Sequence, residues 1–220
     1  DGELEIPMPM VNILSGGAHA GRTLDIQDVL IVPTGAASFT ESLSWIVAIR
    51  EAAAKIGATE GKVTHLIADE GGLGIAFPSV VDACDFVVRV ISSVGLNPGS
   101  DVSIALDIAS SQFFDGSTYN LKTEGLSLTP TDFVQYINRL VNSQPIVSIE
   151  DPFAEEDINL FSAQLFQNES EKPSLGKISN KGKTIYGVSF LATPKDKDLS
   201  ITNEEIKTIY NTLKKQDDFQ

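Results

Sequence analysis

Three apolar runs in this chain end in carboxylates, and that placement narrows the possible folds more than any other feature. The runs are Val63–Ala68 ending in Asp69-Glu70-Gly71-Gly72, Val102–Leu106 ending in Asp107, and Pro145–Ile149 ending in Glu150-Asp151. Each reads as a buried strand, and a helix-like stretch separates each from the next. Such alternation predicts a parallel sheet or barrel. In a parallel barrel all strand C-termini open on one face, so the acids would converge on one mouth. Like charges at short range repel unless a cation joins them, which points to a divalent metal held by hard oxygen ligands. One acid at a strand end facing water is commonplace; three in succession favour the metal.

The bulk composition bounds the rest. A chain of 220 residues with 42% hydrophobic content can bury a sizeable core. The net charge of −14 makes nucleic acid and anionic membranes poor partners. A small anionic substrate stays open, because a bound cation reverses the local sign. Cys84 is the single cysteine, in an apolar helical pattern, and reads as a buried core thiol. It fits a reducing compartment, here the cytoplasm. No apolar run reaches membrane-spanning length. The acidic start, Asp1-Gly2-Glu3-Leu4-Glu5, lacks the basic residues of a signal peptide and an initiator Met, so a fragment is expected.

The chain changes character near Leu165. Residues 1–165 hold 7 Lys+Arg against 22 Asp+Glu, whereas residues 166–220 hold 9 against 8. All the cations of the second part are Lys, and its only Ala is Ala192. This predicts a body, 1–165, and a Lys-rich tail, 166–220, with a polar linker over 166–182. A strand at Thr184–Leu191 and an amphipathic helix at Asn203–Lys214 are expected in the tail.

In the body, Val11–Leu14 and Leu24–Val32 read as strands. Thr40–Ile56 reads as a helix stopped by Gly57, with Leu43, Ile46, Val47 and Ala54 on its buried face. Ser79–Val94 reads as a second helix, ended by Gly95. Thr129–Val141 reads as a third, with Thr129 as N-cap, Pro130 at the first helical position, and Phe133, Tyr136, Ile137 and Leu140 inward. Phe113–Tyr119 reads as a hairpin around Asp115-Gly116.

Ser15-Gly16-Gly17-Ala18-His19-Ala20 follows the first strand. Its glycines let backbone approach a ligand, and His19 is suited to binding or protonating an anionic group. In order, Val11-Asn12-Ile13-Leu14-Ser15-Gly16-Gly17-Ala18-His19-Ala20-Gly21, Gln27-Asp28, Val32-Pro33-Thr34-Gly35-Ala36, Asp69-Glu70-Gly71-Gly72, Ala105–Phe113 and Ser148–Asp157 resemble enolase, the Mg²⁺-dependent lyase of glycolysis. Enolase dehydrates 2-phosphoglycerate to phosphoenolpyruvate. The resemblance covers roughly residues 5–165. It implies the first part of an enolase-type (β/α) barrel, incomplete here, joined to an unrelated-looking α/β tail.

The resemblance also implies roles. His19 would lie on the phosphate side, and Gln27 and Asp28 would line the site near the leaving hydroxyl. Glu70 would be the general acid. Asp107 and Glu150 would be two of three carboxylate ligands to Mg²⁺. A phosphorylated small molecule is the implied partner, and homo-oligomerisation the implied state. The chemistry accounts for such groups. A proton alpha to a carboxylate is very weakly acidic, and its loss adds charge to an anion. Hydroxide leaves poorly without an acid. Enolase-superfamily sites pair a Lys or His base with one or two Mg²⁺ ions.

Three departures qualify the match. Asp28 stands where the family has Glu, one methylene longer; a displacement of about 1 Å can cost about a hundredfold in rate. Leu73-Gly74-Ile75-Ala76-Phe77-Pro78 replaces a shorter continuation after Gly72. The family's third metal ligand and Lys base fall later than the matched text. Lys177, Lys181 and Lys183 lack an apolar strand context and are not carried over. The body alone would also leave sheet edges open unless the tail covers one. Turnover by this chain alone is therefore not expected. A non-catalytic enolase relative that binds metal or anions is the alternative.

Overall fold

A computed structural model describes residues 8–18, 20–155 and 157. The tail, with its expected strand and helix, lies outside the described residues. Four short strands form the central sheet: β1 (Val11–Ser15), β2 (Asp28–Val32), β3 (Ser103–Asp107) and β6 (Ile146–Glu150), in that order. β2 is buried throughout, as continuous Val/Leu/Ile text predicts for a strand covered on both faces. Val29, Ile31, Ile104, Leu106 and Ile149 join the main core, while Leu30, Val32, Ala105 and Val147 cluster separately.

The expectation of an all-parallel sheet is corrected. Only β3 and β6 run parallel; β1–β2 and β2–β3 are antiparallel. The text between β1 and β2 holds no crossover helix, so the chain turns back on itself. Among the described residues the sheet does not close into a barrel.

Three helices cover the sheet. α1 (Phe39–Thr59) begins at Ser38, whose side chain accepts from the Glu41 N–H. It runs through Gly57 instead of stopping there. Gly57 is buried beside Thr64, Ile75 and Phe86, where a side chain would crowd, so its role is close packing. The buried face is Ser42, Ile46, Ile49, Ala53 and Gly57; Leu43 and Val47 are exposed. α2 (Val80–Ser93) is capped by Ser79, and α3 (Pro130–Ser143) by Thr129 with Pro130 in its first turn. Phe133, Tyr136, Ile137 and Leu140 are buried, as their spacing predicts.

Two strand expectations fail. Residues 63–68 form no strand: Ile67 is 66% exposed and joins only an isolated bridge to Leu73. The Ala68 N–H donates to Gly72 across a tight turn, so this backbone closes locally. Leu73 instead docks on β1, accepting from Ser15 and donating to Ile13. The second strand starts at Asp28, not Leu24. The carbonyls of Leu24 and Gln27 accept from Gly17 and Gly16, which commits that segment to the glycine loop. The Asp115-Gly116 turn forms, with a bridge from Phe114 to Tyr119. The longer hairpin pairing follows it, β4 (Tyr119–Leu121) with β5 (Leu126–Leu128).

Candidate active-site mouth

The antiparallel β2 decides the site. Its start, Asp28, faces the end of β3, Asp107, and the end of β1, Ser15; Asp107 pairs in turn with Glu150 at the end of β6. Ser15, Asp28, Asp107 and Glu150 thus form one cross-sheet row at one edge. Two left-handed residues follow, Ala109 and Asp151, turning the chain sharply off β3 and β6. Non-glycine residues hold that conformation at a cost, and such strain gathers at functional sites. The two loops are tied together: Ile108 N–H donates to Glu150 and Ser110 N–H to Asp151.

Asp28 is 2% exposed and accepts from the Ser15 hydroxyl at 2.5 Å. Burial pushes its carboxyl up to about 6; Glu70 adds to the rise, against the Ser15 bond and a weaker one from Gln27. Asp107 is pushed up to about 7, first by burial, then by the charges of Glu150, Asp151 and Asp28, and is opposed by the Ala109 N–H at 3.1 Å. Asp151 is also raised, by burial and by Glu150 and Glu155.

Glu70 sits in the turn beside β1, where Asn12 donates to its carboxylate at 2.8 Å. Arg50 of α1 donates to the next carbonyl, Gly71, at 3.1 Å. Across the row, the Gln27 N–H donates to the Asp107 carbonyl and the Gly16 N–H to the Gln27 carbonyl. A Cβ at Gly16 would collide with the Ile26 carbonyl and Leu24, so only glycine permits this contact. Gln112 bridges Ala18 and Gln27 from the turn after β3.

Gln27, Asp28, Glu70, Asp107 and Glu150 therefore meet at one edge; His19 lies outside the described residues. Sequence reasoning did not single out Asn12, Ser15, Arg50 or Gln112, although all but Arg50 lie inside the quoted motifs. The donor set fits a hard divalent cation in part. Asp107 and Glu150 are adjacent carboxylates, and the charges around Asp107 oppose its ionisation. Among the described residues, no group of three His, Cys, Asp or Glu side chains is arranged to hold a metal.

The family model described as enolase, C-terminal TIM barrel domain, matches residues 3–176. The chain belongs to this family. The match spans the body and runs past Leu165, so the enolase text extends at least slightly into the segment where the composition changes. The strand ends that carry the acidic row are the enolase-like text itself. No helix among the described residues is long and apolar enough to cross a membrane.

Proposed function

We propose that this chain carries part of the active-site mouth of an enolase, the glycolytic lyase that dehydrates 2-phosphoglycerate to phosphoenolpyruvate. The observation that carries the reading is the in-register row of Asp28, Asp107 and Glu150, facing Glu70. Asp107 and Glu150 would hold Mg²⁺, with the third ligand supplied from elsewhere. The bound cation would supply positive charge against the doubly anionic species formed when the alpha proton leaves. Glu70, oriented by Asn12 and by the Arg50-held turn, assists departure of the 3-hydroxyl. Gln27 offers an amide donor to a substrate oxygen, and Asp28 lines the same wall. His19 takes the phosphate side. A cytoplasmic homo-oligomer acting on a phosphorylated small molecule is the setting that suits this chemistry.

A second reading, an enolase relative that binds a cation or anion without turnover, draws support from Asp28, an acid shorter than the family's Glu that is buried against the Ser15 hydroxyl. The deciding experiment is phosphoenolpyruvate formation by the purified chain with Mg²⁺ and then with chelator. Chelator-sensitive turnover supports the lyase. Folded protein without turnover, whose Mg²⁺ binding disappears in Asp107→Ala, supports the second reading. Absence of both turnover and Mg²⁺ binding refutes both.

A further inference from the structure

We propose that Gln112 is a positioning residue that fixes which way the Gln27 amide faces and holds the Gly17–Ala18 loop against it. The bonds have a forced polarity. The Ala18 backbone N–H can only donate, and it meets Gln112 Oε1 at 3.3 Å. Gln112 therefore presents its amide nitrogen to the other side, where it donates to Gln27 Oε1 at 2.9 Å. That bond turns the Gln27 oxygen toward Gln112 and leaves its two N–H groups free to donate. A backbone N–H thus sets the orientation of two successive carboxamides. The outcome is a wall that offers N–H donors, suited to a carboxylate or phosphate oxygen.

Gln112 is well placed to impose this order. It closes the short 3₁₀ turn Ser110–Gln112, which the left-handed Ala109 swings off the end of β3. That turn is anchored twice to the loop after β6: Ser110 N–H donates to the Asp151 carbonyl at 3.2 Å, and Ser111 Oγ accepts from Glu155 N–H at 3.0 Å. On the opposite side Gly17, at φ +52°, lets the loop approach; a Cβ there would lie 3.1 Å from Gln112 Oε1. Preorganised donors are worth more than donors that must reorient on binding.

The orientation is tested in the full chain from the Ala18 backbone amide and the Gln27 side-chain amide by NMR, in wild type, Q112E and Q112L. Glutamate keeps the acceptor for Ala18 but cannot donate, so Q112E should leave the Ala18 resonance in place and shift the Gln27 amide as it turns to donate. Leucine keeps the bulk and removes both bonds, so both resonances should move and Ala18 should exchange faster with solvent. Thermal unfolding of each variant reports whether the fold survives. Q27E is the reciprocal control: the introduced carboxylate still accepts from Gln112, and Ala18 should be undisturbed. An unmoved Gln27 amide in both Gln112 variants overturns the proposal.

The ligand arm rests on the enolase reading and uses 2-phosphoglycerate as probe. Q112E should weaken binding about tenfold or more, the loss of one donor to an anion. Unchanged affinity in Q112E would overturn the positioning role. If the wild-type chain binds no 2-phosphoglycerate, the enolase reading fails, and the amide resonances alone decide Gln112.

Discussion

Replacing Asp107 with Asn should make the metal-free protein more stable, an advantage that bound metal offsets in the wild type. The carboxyl rises from an ordinary 3.8 to about 7 because burial and the charges of Glu150, Asp151 and Asp28 disfavour its ionised form. A folded-state value above the unfolded one means the native state binds more protons between those two values. Stability conferred by protonated Asp107 is therefore complete at and below about pH 4 and is lost as pH climbs through about 7. A rise of that size corresponds to ~4 kcal/mol by linkage. Asp107 is only partly buried, so screening by water reduces the expected penalty to about 1–2 kcal/mol. Asparagine removes the charge and keeps an oxygen for the Ala109 N–H. The assay is urea unfolding of wild type and D107N in chelator from pH 4.5 to 8. The two should converge toward the acid end, with the variant more stable by about 1–2 kcal/mol at pH 8. Adding Mg²⁺ at ten times its dissociation constant should return ~1.4 kcal/mol to wild type and nothing to the variant. A variant equal to or weaker than wild type at pH 8 in chelator would refute the electrostatic account of this edge.

Three further outcomes are expected. Gly16→Ala should cost about 1–3 kcal/mol in chemical denaturation, because its methyl would meet the Ile26 carbonyl and Leu24; an unchanged midpoint would mean the loop shifts freely. Tyr119→Phe should cost about 1–2 kcal/mol and speed exchange of the Ala154 amide, since the hydroxyl accepts from that N–H at 3.1 Å and donates to Asp157 at 3.2 Å. Cys84 should resist an aromatic disulfide reagent until urea unfolds the chain, because it is fully buried and burial pushes its thiol up beyond the usual range; rapid labelling of native protein would contradict this core.

Much of the local structure was legible in the text. Ser79, Thr129 and Pro130 begin helices where capping chemistry says they should, and the stripe Phe133, Tyr136, Ile137 and Leu140 faces the core. Gly57 shows where local reading ends. A glycine late in a helical stretch resembles a stop, yet here it lies within α1 because Thr64, Ile75 and Phe86 leave it no room for a side chain. Residues 63–68 show the same limit from the other side. Their apolar text suits a strand, but a strand needs a partner, and this segment closes its hydrogen bonds in its own turn.

The sequence alone was enough for the family, the pairing of acids with the ends of two true strands, and the Thr129 cap of α3. Each of these is carried by neighbouring residues, whose identities and spacing act through local sterics and hydrogen bonds. Only the tertiary structure reversed β2, which brings Asp28 opposite Asp107, and laid Gln112 over Gln27 from 85 positions away in the chain. Strand direction and long-range side-chain pairing depend on which segments compete for the same backbone donors and the same buried space. Periodicity in the sequence records that a residue is buried, and is silent about what it is buried against.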